Sequence, residues 1–158
     1  YILGKDEELP VSVECDADPQ DQDAVGSFRR ITYTYKDGTQ IILDGENKDK
    51  DAALIEGSEG KIMRGFKTDV KGFAEKLKKL PEPEPQVGDF HQAIRENKKF
   101  ALNEENGFNS CTLINLGKIA HRTNQNLKFD PKKMQFIDNA KANALVHQKD
   151  RDKWKLPS

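Results

Sequence analysis

FRRITYTYKDGTQIILDG, residues 28–45, decides the fold. Ile31, Tyr33 and Tyr35 alternate with polar neighbours on the way out, and Ile41 and Leu43 return on the same face. Successive side chains of a strand point to opposite faces, so this period of two, carried by β-branched and aromatic residues, is a strand's signature. Asp37-Gly38 between the two runs supplies the turn, because glycine adopts the positive φ that a tight hairpin asks for. The stretch predicts an antiparallel hairpin.

Working outward, PVSVECDA (10–17) sets Val11, Val13 and Cys15 against polar partners and predicts a further half-buried strand. The acidic DPQDQD between them reads as a loop, and ENKDKD beyond the hairpin as a solvated charge run. AALIEGSEGKIMRG repeats the hairpin logic, with Gly57 and Gly60 bracketing Ser58 and Glu59 and supplying positive φ. Strands so closely spaced predict an antiparallel meander with one wet face.

Helical signals follow. Thr68 is placed to cap TDVKGFAEKLKKL, with Val70, Phe73, Ala74 and Leu77 as its apolar stripe. LPEPEPQ stops that helix and reads as a surface crossing inside one domain, because neither flank carries enough apolar residues for its own core. Asp89 caps DFHQAIREN, with Phe90, Ala93 and Ile94 inward. Ser110 is the expected cap of a third helix whose inner face is Leu113, Ile114, Leu116, Gly117 and Ala120. Gly117 inside a helix costs about 1 kcal/mol against alanine, which predicts compensation by the close approach of another backbone. Asn124 or Asn126 suits a left-handed exit. LKF and MQFI flank DPKK as two extended pieces, Asp138 is the expected cap of NAKANALV, and Trp154 is the expected anchor of the charged tail.

Composition bounds the function. The 158 residues suit one domain, are 35% apolar and 34% charged, and have a net charge of −1. A mean hydropathy of −0.85 fits a one-sided sheet. No basic excess marks a phosphate-binding face, which argues against nucleic acid. No apolar run is long enough for a membrane span, and no signal-peptide pattern appears, so the sequence assigns no compartment. Cys15 and Cys111 lie far apart with no Cys-x-x-Cys pair, as expected of two buried free thiols and not of a zinc or redox site. His91, His121 and His147 fall on three separate predicted helices without ligand spacing, which fits capping or surface roles. The acidic runs lack the twelve-residue calcium pattern. No nucleophile elbow, phosphate loop or dinucleotide glycine fingerprint occurs. From the residues alone the expectation is an α+β domain with no catalytic, cofactor-binding or metal residues.

The last third adds a resemblance. LGKIA (116–120), LKFDP (127–131), QFID (135–138), KANALV (141–146) and KWKL (153–156) occur in order. Together they resemble the closing segment of the Gfo/Idh/MocA oxidoreductases, bacterial type. ITYTYKDGTQIILDG and ALIEGSEGKIM look like that family's tyrosine-rich hairpin and its EGTEG turn, so the likeness runs from about residue 10 to the tail. It implies a C-terminal substrate and oligomerisation domain over residues 1–158, cut from a longer chain: a mainly antiparallel open-faced sheet with helices on one face. It also implies that a Rossmann domain holding NAD or NADP, and the Lys and His that serve hydride chemistry, lie before Tyr1. The parent is then expected to act on a sugar or polyol, while this fragment holds no cofactor and is inactive alone.

Against the family pattern, Gln86 stands where many relatives carry histidine, and Gly107, Phe108, Asn109 and Ser110 stand where they carry Gly-His-Arg-Ser. Gln86, Phe108 and Asn109 are therefore the substrate-side candidates, and the loss of an imidazole and a guanidinium there implies a changed substrate. It also leaves an alternative, a non-catalytic carbohydrate-binding or scaffolding relative. The expected partners are the preceding Rossmann domain, a sugar-like molecule, and a second copy meeting the sheet face of Ile31, Tyr33 and Tyr35 or its opposite.

Overall fold

The computed structural model describes residues 2–19, 26–46, 51–82 and 86–147. Trp154 and the tail motif KWKL lie outside them, as do most of DPQDQD and the middle of the proline run. Two compact units emerge, one made of Tyr1–Glu46 with Leu102–Ser158 and the other of Asn47–Ala101.

The first unit is built on β1 (Ser12–Asp16), β2 (Arg30–Thr34) and β3 (Gln40–Asp44), joined later in the chain by β6 (Leu127–Asp130) and β7 (Gln135–Phe136). The strands lie in the order β3-β2-β1-β6-β7, and every neighbouring pair is antiparallel. The β2–β3 turn forms as the sequence predicts. Gly38 at φ 88° takes the left-handed position, Tyr35 N–H donates to Thr39 C=O at 2.8 Å and Gly38 N–H to Tyr35 C=O at 3.0 Å. This is a three-residue hairpin loop closed by a glycine bulge.

Register decides which side chains share a face. Val13 lies opposite Tyr33 and Leu127, Cys15 opposite Ile31, and Tyr33 opposite Ile41. That apolar face is covered by α3 (Glu104–Thr123), which turns Leu116, Gly117, Ile119, Ala120 and Thr123 inward. The core is completed by Phe129 and Phe136, cross-strand partners whose rings meet edge-on with centroids 5.4 Å apart, and by Ala142 of α4 (Ala140–Asn143). Burying a side chain the size of Val13 or Leu127 stabilises by roughly 1.5–3 kcal/mol, so this layer carries the unit.

Gly117 is where helix and sheet approach most closely. A Cβ there would collide with the Tyr33 hydroxyl and stand 3.2 Å from its ring Cζ. The expected close approach is real, but the neighbour is a buried side chain and not a backbone.

Several helix starts differ from expectation. Asn103, not Ser110, caps α3, its side chain accepting from Glu105 and Asn106 N–H. Ile114 is 67% exposed because it lies off the buried stripe. Asn139, not Asp138, caps α4, and Asn124 takes the left-handed exit of α3 at φ 51°. Cys111 is exposed and Cys15 half-buried, so only one thiol is even partly shielded; Cys111 sits on the outer side of α3.

The second unit holds β4 (Ile55–Gly57) paired with β5 (Gly60–Ile62), then α1 (Phe73–Lys78) and α2 (Phe90–Glu96). Only Gly60 of the bracketing glycines has positive φ, 145°. Thr68 does not cap α1. It bridges to Ile62 and its hydroxyl donates to the Lys61 carbonyl, while left-handed Gly72 begins the helix. The expected stripe of α1 is not buried: Leu77 is 55% exposed. Asp89 caps α2 through Gln92 N–H as predicted, and Ala93 is buried, but Phe90 and Ile94 are exposed.

Candidate functional site

Among the described residues of the first unit, α3 covers one side of the sheet and the other side is left open. The register places Ser12, Glu14 and Asp16 of β1 there beside Thr34, Thr32 and Arg30 of β2, and then Gln40, Ile42 and Asp44 of β3. Lys128 of β6 lies next to Ser12. The face is thus a lattice of hydroxyls, carboxylates, an amide and two cations around one apolar residue. Gln40 donates to the Thr34 hydroxyl at 3.3 Å. One end of this face opens into a depression of about 440 Å³ lined by Ser12, Lys128, Asp130, Pro131 and Ile137 among others. Asp130 shapes its rim, accepting from the N–H groups of Lys132 and Lys133 at 2.9 and 3.2 Å.

At the same end of the sheet, the segment before β1 is fixed by long-range polar contacts. The Lys5 ammonium donates to Asp37 at 2.7 Å and to Glu8 at 3.0 Å, and lies 5.5 Å from the centre of the Tyr35 ring. Hydrogen bonding to Lys5, reinforced by Thr39 N–H, holds the Asp37 carboxyl down to about 2. The same bonds from Asp37 and Glu8 push the Lys5 ammonium up. At the far end of β2, Arg29 binds Asp16 and Asp18 at 2.6 and 2.9 Å, and these bonds raise its pKa. Burial pushes the Tyr33 phenol up to about 12 and, with Asp16 nearby, raises the Cys15 thiol.

Phe108 and Asn109 are neighbours in the second turn of α3, not in a loop before it. Phe108 is 55% exposed, whereas the Asn109 amide donates to the Asp6 carbonyl at 2.6 Å and braces the segment before β1. Gln86 is exposed and belongs to the second unit, just before α2. The histidines do not gather: His91 lies edge-on to Phe90, His121 edge-on to Phe28, and His147 falls beyond α4 instead of on a helix. Nε2 of His121 is shielded and has no hydrogen-bond partner among the described residues. No group of three or more His, Cys, Asp or Glu capable of holding a metal occurs among the described residues. Among them too, no helix is long and apolar enough to cross a membrane.

Sequence reading missed the Lys5–Asp37 contact, since nothing local marks two residues so far apart as partners. The open face, by contrast, is contained in the alternation of β1 and β2.

The sequence model of an oxidoreductase family's C-terminal alpha/beta domain, that of Gfo, Idh and MocA, matches residues 1–156. No curated protein matches the chain, and no solved structure does.

Proposed function

Since the chain belongs to the Gfo/Idh/MocA oxidoreductase family as its C-terminal alpha/beta domain, we propose that it forms the substrate wall of a nicotinamide-dependent oxidoreductase acting on a sugar or polyol. In this reading residues 1–158 work as one C-terminal domain beside a Rossmann domain that holds NAD or NADP. The observation that carries it is the uncovered polar sheet face. Ser12, Glu14, Thr32, Thr34 and Gln40 offer donors and acceptors at strand spacing, the chemistry that sugar hydroxyls require.

The chain's own residues do not fit a dinucleotide, because no Gly-x-Gly-x-x-Gly turn joins a strand to a helix anywhere in it. Hydride chemistry is therefore the work of the bound nicotinamide of the whole enzyme, and this domain binds, orients and excludes water. The same face, with Ile42 at its margin, is also the surface through which two copies of the domain associate in this reading. The face of Ile31, Tyr33 and Tyr35 is spent on the core.

Calorimetric titration of the isolated chain with NAD, NADP and a panel of sugars tests the reading. No dinucleotide binding and weak sugar binding are expected; micromolar dinucleotide affinity, or turnover by the chain alone, overturns it. A second reading, a carbohydrate-binding relative without catalysis, draws support from Phe108, an exposed aromatic where the resemblance implies an imidazole. Tight sugar binding by the chain alone, lost in Phe108→Ala, favours that one.

A further inference from the structure

We propose that the depression at the β1–β6 end of the open face binds a sugar acid, a pyranose whose single carboxylate lies on the Lys128 ammonium. The inference rests on the reading of this face as a substrate wall and names the class of sugar that the wall takes.

The fold sets the walls. Ser12 and Lys128 are register partners, so their side chains stand next to each other on one face. Pro131 follows Asp130, whose carboxylate accepts from the N–H groups of Lys132 and Lys133, and this short turn makes one wall. Ile137 makes another, fixed by its N–H, which donates to the Lys128 carbonyl at 2.9 Å. Half-buried Val11, Pro131 and the half-exposed Ile137 give an apolar lining that suits the C–H face of a pyranose ring. The volume of about 440 Å³ lies within the range of small-molecule sites, roughly 300–1,000 Å³.

Charge chooses the occupant. Lys128 and Asp130 are two residues apart on β6 and so project from the same face of the strand, yet they do not pair. The Asp130 carboxylate is turned to the backbone of the following turn. Among the described residues, the Lys128 ammonium pairs with no carboxylate and with no other acceptor. An ammonium left over beside a hydroxyl and apolar walls matches one carboxylate on a ring. A phosphate dianion fits worse, because it brings a second charge toward Asp130 while no second cation lines the depression among the described residues. Lys128 is three strands from β3, about 14 Å at the usual strand spacing, which keeps the occupant at the opposite margin of the face from Ile42.

The chain is titrated with the methyl glycosides of glucuronic and galacturonic acid and with those of glucose and galactose, pairs that differ only at C6. Amide shifts of Ser12, Lys128 and Ile137 in NMR spectra report the site. One acid is expected to bind about 5-fold tighter than its neutral counterpart, the upper end of what an exposed ion pair supplies, and to move those three amides. Lys128→Gln is expected to cancel the preference while neutral-glycoside binding persists, and Lys36→Gln at the hairpin turn to leave the preference unchanged. Equal binding of acid and neutral glycosides, with shifts on the open face, overturns the acid assignment and leaves the substrate-wall reading standing. No shift there with any glycoside removes both. A preference that survives Lys128→Gln, or tighter binding of glucose 6-phosphate than of either acid, also overturns the proposal.

Discussion

Replacing Gly117 with alanine sets two effects of known size against each other. In an open helix the change gains about 1 kcal/mol of propensity. Here the new methyl would collide with the Tyr33 hydroxyl and stand 3.2 Å from Cζ. Tyr33 is only 2% exposed and is held by its partners Val13 and Ile41, so the ring has no free direction in which to withdraw. Overpacking of a filled core costs about 1–3 kcal/mol. The net expectation is a loss of about 1 kcal/mol, opposite in sign to the usual glycine-to-alanine result in a helix. Urea unfolding followed by circular dichroism measures it, and a cycle with Tyr33→Phe isolates the cause. Removing the hydroxyl takes away the nearest atom, so the double variant should recover most of the loss, a coupling of about 1–2 kcal/mol. If Gly117→Ala stabilises the chain, or if the two changes simply add, the account of helix-to-sheet packing is wrong.

The remaining expectations concern single contacts. Asp37 is depressed to about 2, so it contributes stability present above the unfolded carboxylate range and lost as pH falls through its folded value. Lys5 is raised, and its contribution is complete below the unfolded lysine range and lost above it. Asp37→Asn should therefore remove much of the acid-side slope between about pH 4 and pH 2 in a pH–stability profile, and an unchanged slope would dismiss the pairing. The Asn143 amide accepts from Phe136 N–H and donates to Phe136 C=O, both at 2.8 Å. Asn143→Ala removes both bonds and should cost about 1–3 kcal/mol in urea unfolding; a neutral result means water replaces the amide. Asn109→Ala should speed amide exchange in residues 4–9 without shifting that of β1, and equal acceleration in both contradicts a local brace.

Local signals carried the sheet and not its order. Alternation in 28–45 was enough for β2, β3 and the glycine bulge, because one hairpin satisfies its own hydrogen bonds. LKF and MQFI are legible as extended pieces for the same reason. Nothing local, however, says that β6 completes β1 on its free side, a pairing of Val13 with Leu127 that only the closed fold creates. Sequence places the start of α3 too late because Asn106 and Gly107 are poor helix formers and Ser110 is a good cap. Asn103 followed by Glu104 and Glu105 was the stronger signal, a capping side chain with negative charge in the first turn. The amphipathic period of 68–80 suggests a longer α1 than forms, because left-handed Gly72 breaks the path from Thr68. Among the candidate site residues, the departure at Asn109 was visible in sequence, but its bond to the Asp6 carbonyl was not.

The placement of β1 between β2 and β6 bears on how the chain reaches its native state. During synthesis β1, β2 and β3 can assemble early from near neighbours, leaving the second flank of β1 bare until residues 127–130 have emerged. Closing so distant a contact is slow, although lengthening the intervening stretch costs little at equilibrium, about 0.6 kcal/mol for each doubling. Refolding should show a fast phase for the hairpin meander and a later one for arrival of the long helix with its following strand. In that interval the half-made sheet is the species most exposed to aggregation.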